Sequence, residues 1–159
     1  LAISPNGSAP PGAGLAVSPQ LGVPNQTDVF SVATNGAEQV SWVQGAGRWE
    51  GPMAISSPNL APAGAHLATS PQFGVANQTD VFVVDINGAL RVTWVQGAGS
   101  WSGHMAISPD GAASVGGHLV ASQQFGVANQ TDLFSVVDNG AVQVSWVEDA
   151  GKWNGPAVI

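Results

Sequence analysis

The sequence predicts an all-β protein, a β-propeller segment with three four-stranded blades per chain. Three observations carry this expectation. The hexapeptide Asn77-Gln78-Thr79-Asp80-Val81-Phe82 also occurs as Asn25 to Phe30 and, with Leu133 for Val, as Asn129 to Phe134, placing Asp28, Asp80 and Asp132 at 52-residue intervals. A fixed period of that size marks a repeat architecture. Each period breaks into short β-rich runs separated by Gly, Asn and Pro, and no stretch shows capped helical periodicity. The second run of each period is apolar on both faces, as with Phe82 and Val84 against Val81 and Val83. A sheet covered on both faces must lie between neighbours, and four-stranded sheets stacked by repetition are propeller blades.

The elements follow in order. Leu1-Ala2-Ile3-Ser4 has the phase of Met53 to Ser56 and Met105 to Ser108, and Ala157-Val158-Ile159 closes in that phase. The three periods therefore run over about 5–56, 57–108 and 109–159. After a Pro/Gly/Ala connector, Leu15 to Ser18 reads as a first strand, matched by Leu67 to Ser70 and Leu119 to Ser122. Gln20 to Pro24 leads into an Asn-Gln-Thr-Asp turn, and Thr27 to Thr34 reads as a second strand. Asn35-Gly36, Asn87-Gly88 and Asn139-Gly140 predict two-residue hairpin loops. Glu38 to Gln44 is a third strand with Val40 and Trp42 on one face. Gly45-Ala46-Gly47 is a turn, and Arg48 to Ile55 a fourth strand with Trp49 near its start.

Composition narrows the partners. Three Lys and Arg against ten Asp and Glu give a formal charge of −7, which excludes a phosphate-backbone partner and disfavours an anionic membrane. With no Cys there is neither a disulfide framework nor a thiolate metal site. No apolar run approaches the length of a membrane span, and no signal-peptide pattern opens the chain, which leaves its localisation open.

The eleven aromatic residues fall at four repeat positions: 21/73/125, 30/82/134, 42/94/146 and 49/101/153. The Phe positions are expected to fill core between blades. Trp is seldom wholly buried and keeps its N–H near a polar partner. Trp49, Trp101 and Trp153 follow a Gly-rich turn and have polar neighbours, so they are the first candidates for ligand contact; Trp42, Trp94 and Trp146 are the second. A half-exposed ring beside fixed polar groups suits a sugar, whose C–H face packs on the ring while its hydroxyls meet donors and acceptors. Asn25, Asn77 and Asn129 with Gln26, Gln78 and Gln130 are candidates to supply those amides. Asp28, Asp80 and Asp132 instead suit the bonding of backbone N–H groups in a turn. No catalytic residue, metal ligand or cofactor is expected: of the three His, His66 and His118 share one repeat phase where the first repeat has Gly14, every polar motif is copied, and no paired carboxylates stand in contrasting settings.

The string Gln-Phe-Gly-Val-Ala-Asn-Gln-Thr-Asp-Val-Phe-Val-Val-Asp, then Asn-Gly-Ala-Leu-x-Val-x-Trp-Val, Gly-Ala-Gly-x-Trp-x-Gly and Met-Ala-Ile-Ser, resembles the repeat of the PLL-like lectins, bacterial β-propellers of the Photorhabdus type. The resemblance runs over essentially the whole chain. It implies a seven-bladed propeller that binds fucose and related sugars, O-methylated ones included, in grooves between blades. With localisation left open, the expectation is a soluble protein, secreted or released to bind host-surface glycans. Three repeats do not multiply to seven. The simplest ring from this chain is a homo-dimer of about six blades, within the usual propeller range. A second reading stays open, a structural or engineered self-assembling propeller that retains no ligand.

Overall fold

A computed structural model describes residues 2–159; Leu1, matched in phase to Met53 and Met105, lies outside the described residues. Twelve strands form three separate four-stranded antiparallel sheets, each a simple meander. Blade 1 is β1 Leu15–Pro19, β2 Gln26–Val32, β3 Glu38–Gln44 and β4 Glu50–Ala54. Blade 2 is β5 Leu67–Pro71, β6 Gln78–Val84, β7 Leu90–Gln96 and β8 Met105–Ala106. Blade 3 is β9 Leu119–Gln123, β10 Gln130–Val136, β11 Val142–Glu148 and β12 Asn154–Val158. The predicted propeller segment of three blades per chain is what the chain forms. Among the described residues no helix is long and apolar enough to cross a membrane.

Three local expectations change. Only Asn25, Asn77 and Asn129 turn the chain, with φ of 60°, 58° and 58°; the Gln-Thr-Asp that follows is already strand. Asn tolerates that left-handed geometry where most residues do not. The hairpin loop is longer than two residues. Gly36 N–H donates to the Ala33 carbonyl at 2.9 Å, and only Gly36 of the Asn-Gly pair has a positive φ. That is a type I turn closed by a left-handed Gly, with Asn35 Oδ1 accepting from Ala37 N–H at 3.1 Å. The fourth strand starts at Glu50, not Arg48, because the pairing of β3 with β4 slips between Val40 and Trp42. Trp49 therefore sits on the connection, free of the ladder.

The core lies between blades. One cluster joins Phe30, Val32 and Val40 of blade 1 to Leu67, Val81 and Val83 of blade 2, with connector residues Leu60, Ala61 and Ala65 beneath. Its copy joins Phe82, Val84 and Val92 to Leu119 and Leu133. Every residue of β6 is buried, as a two-faced central sheet requires. The expectation of core Phe holds at 30 and 82 and fails at 21/73/125, where Phe125 is fully exposed.

Among the differences between the two junctions, one places a charged residue inside the first. Glu38, 1% exposed, lies in the first junction and accepts a hydrogen bond from Thr93 Oγ1 at 2.7 Å, leaving its Oε1 without a partner. The repeat-equivalent residues of the second junction are Leu90 and Ser145. Burial pushes the Glu38 carboxyl from its ordinary 4.5 up to about 7. Between those values the folded chain holds a proton that the unfolded chain has lost. Stability from this group is therefore greatest below pH 4.5 and falls as pH rises through 7, by on the order of 3 kcal/mol. Burial also raises Asp80 to about 7, which acts in the same direction. Glu38→Leu is expected to stabilise the fold at pH 8 and change little at pH 5, as read by urea midpoints. An equal shift at both pH values would contradict this.

Candidate binding grooves between blades

Each blade junction opens at its outer side into a groove with tryptophan on both walls. In the first, of about 550 Å³, blade 1 contributes Trp42, Val40, Met53, Gln20 and Gln26, and blade 2 contributes the turn Ala98-Gly99-Ser100 and Trp101. The second, of about 230 Å³, repeats the pattern with Trp94, Val92, Met105, Gln72 and Gln78 facing Ala150, Gly151 and Trp153. The first and second candidate Trp sets thus meet in pairs, Trp42 with Trp101 and Trp94 with Trp153. Neither of these two grooves lies within a single repeat. Trp49 and Trp146 are the unpaired halves at the two ends of the chain.

The wall Trp is held by the core. Trp101 packs edge-on against Phe30, ring centroids 5.5 Å apart and planes at 78°, and Trp153 does the same on Phe82 at 5.5 Å and 77°. This geometry suits the aromatic quadrupole and fixes the ring while leaving part of it open. All six Trp are half-buried.

A polar chain sets the groove floor. Gln26 Nε2 donates both to Gln20 Oε1 at 2.7 Å and to Asp28 Oδ1 at 2.9 Å, while Gln20 Nε2 donates across the junction to the Gly97 carbonyl at 2.7 Å. Gln78 and Gln72 repeat this with Asp80 and the Asp149 carbonyl, at 2.7, 2.9 and 2.7 Å. Gln130 bonds Gln124 and Asp132 in the same way, at 2.6 and 2.7 Å. Asp28 and Asp80 are 0% exposed, and burial raises the pKa of both carboxyls. These carboxylates therefore anchor glutamine side chains; the expected bond to backbone N–H groups of a turn is replaced because the segment is strand. The Gln26 and Gln78 amide N–H donors are spent inside the protein, which leaves the amide oxygen as their acceptor toward a ligand.

Asn25, Asn77 and Asn129 are exposed at the turns before β2, β6 and β10 and do not line the two grooves. Their carbonyls accept from Gly45, Gly97 and Asp149 N–H at 2.8, 2.9 and 3.0 Å, which ties each turn to the one between the third and fourth strands. Sequence reasoning missed Gln20, Met53 and the Ala98-Gly99-Ser100 turn as wall residues. The 52-residue copying of Gln20/Gln72/Gln124 and Met53/Met105 was the available signal.

The fold and grooves define a β-propeller segment whose apolar, amide-edged clefts lie at blade junctions. The particular likeness is to the BP39L lectin from Burkholderia pseudomallei, 56% identical, with a TM-score of 0.97 over 100% of this chain and 44% of that one. A lectin of Aleuria aurantia, solved with Fucα1-6GlcNAc, has the same fold at 18% identity and TM-score 0.72, covering 96% of this chain and 47% of that chain. So does a fucose lectin from Kordia zhangzhouensis, solved with methyl-fucoside, at 12% identity and TM-score 0.58, over 92% of this chain and 100% of that chain. The chain thus spans less than half the length of the first two and the whole length of the third. No protein-family model and no curated protein matches the chain.

Proposed function

We propose that the chain is a multivalent carbohydrate-binding protein, a fucose lectin of the β-propeller kind and not an enzyme, with one sugar in each inter-blade groove. The observation that carries this is the repeated pairing of two half-buried Trp across a junction, beside an acceptor amide oxygen and small turn residues. A 6-deoxy sugar places its methyl and C–H face on such rings while its hydroxyls reach the amides and turn carbonyls. The 56% identity to a lectin supports the reading. O-methylated sugars, and the narrower kinship with the Photorhabdus-type lectins, belong to the same proposal, since an added methyl suits the apolar walls. The asparagines of the candidate set act at the rim, and the binding walls are Trp42 with Trp101 and Trp94 with Trp153.

Several weak sites on one scaffold give avidity without a tight single site. Isothermal titration with L-fucose is expected to show binding at both internal grooves. No heat at millimolar fucose and methyl-fucoside would reject the reading in favour of a propeller that assembles without a ligand. We further propose that the chain closes its ring as a homo-dimer. The Kordia protein shows that the fold occurs in a chain of this size.

A further inference from the structure

The polar chain on each groove floor has a fixed sense, set from both of its ends. A backbone carbonyl only accepts, so the Gly97 carbonyl takes the amide nitrogen of Gln20 and leaves Gln20 Oε1 for Gln26. At the other end Asp28 Oδ1 accepts from Gln26 Nε2 at 2.9 Å, and it is an acceptor whether or not a proton rests on the partnerless Oδ2. Turning the Gln26 amide over would set its oxygen against Gln20 Oε1 and Asp28 Oδ1, acceptor against acceptor. The Asp149 carbonyl, Gln72, Gln78 and Asp80 make the same series in the second junction.

Gln26 and Gln78 line the first and second grooves. Among the described residues their Oε1 atoms accept no hydrogen bond from the protein, and neither is shut away from solvent, unlike the buried Asp28 Oδ2 and Asp80 Oδ2. Each glutamine thus spends both N–H bonds inward and keeps a bare oxygen at the groove. An amide free to turn would offer N–H to an ether oxygen as readily as it takes a hydroxyl proton. A held amide cannot.

We propose that Asp28 and Asp80 are positioning residues that hold Gln26 and Gln78 as acceptors only, so that each groove takes a sugar only where it presents a free hydroxyl to that oxygen. This rests on the sugar reading of the grooves. An ether, an ester or a missing hydroxyl at that carbon strips water from Oε1 and returns no donor, which costs about tenfold or more in affinity. The tryptophan walls, in contrast, take added methyl groups. The grooves therefore discriminate among O-methyl isomers. Methylation is tolerated at hydroxyls that face tryptophan and excluded at the one that faces glutamine.

The experiment is isothermal titration with methyl α-L-fucoside and three analogues in which each ring hydroxyl in turn is replaced by fluorine. Fluorine is no larger than a hydroxyl and cannot donate, so it tests the donor without adding bulk. One analogue is expected to bind the unmodified chain about tenfold or more weakly than the parent, and the methyl ether of the same hydroxyl to bind no better. Gln26→Leu with Gln78→Leu should weaken the parent and leave that analogue unchanged. Asp28→Asn with Asp80→Asn keeps an acceptor oxygen against each glutamine and should keep the discrimination. Asp28→Leu with Asp80→Leu offers none and should narrow it. Equal binding of the parent and all three analogues overturns the proposal and leaves the lectin reading standing. Loss of discrimination in the Asn pair, or a Leu pair that weakens every sugar in the same proportion, overturns the positioning role of the aspartates. No binding of the parent fucoside rejects the sugar reading, and this inference with it.

Discussion

Trp101→Ala is expected to abolish the sugar binding proposed for the first groove and to leave the second intact. The ring forms one wall opposite Trp42 and is the largest apolar surface that blade 2 offers there. Loss of an anchoring Trp at the centre of a contact costs on the order of 2 kcal/mol, about thirty-fold in affinity. Titration with fucose should therefore lose one site per chain, while the site between Trp94 and Trp153 keeps its affinity. Full stoichiometry at unchanged affinity would sink the assignment of the groove. The edge contact with Phe30 is lost as well, adding about 1 kcal/mol of instability. Affinity should accordingly be read well below the melting temperature of the variant.

Phe82→Ala carries the largest expected cost in stability. Phe82 is 0% exposed in the second junction and holds Trp153 edge-on. Removing a wholly buried Phe costs about 3–5 kcal/mol, through lost transfer energy and the cavity left behind. That is a large part of the total stability of an ordinary domain. Denaturant midpoints of Phe82→Ala and Phe134→Ala make the comparison. Phe134 occupies the same repeat position but is half-buried at the open end, and no ring packs on it among the described residues. Its loss should cost under about 2 kcal/mol in a monomer. Equal costs in the two variants would mean that the end is covered, as docking of a second copy requires.

Much of the fold is legible in the sequence because the repeat displays each local rule three times. Period-2 alternation, Gly-rich turns and the two-faced apolar run of Val81 to Val84 fix four short strands and a sheet covered on both sides. The third strand, Glu38 to Gln44, is read to the residue. The six Trp were legible as candidates because half-polar surroundings mark a ring that is not plain core. How they combine was not, since the pairing of Trp42 with Trp101 joins residues from different blades. Local pattern gives side-chain faces within a strand but not the stagger between stacked sheets.

Glu38 shows the same limit. The sequence marks it as the charged exception among the repeat counterparts Leu90 and Val142. Only the packing reveals a carboxyl shut inside a junction with Thr93 as its hydrogen-bond donor. The asparagines are the converse. Their composition suggests ligand amides, but they sit in left-handed turns and are not among the residues that line the two grooves. By itself, then, the sequence determined the repeat, the strands, the blade and the residue types a sugar needs, because each follows from local periodicity and turn chemistry. The tertiary structure decided which residues share a groove and which carboxylates lose water. Those depend on how one sheet's face meets the next, and that contact is written in no single repeat.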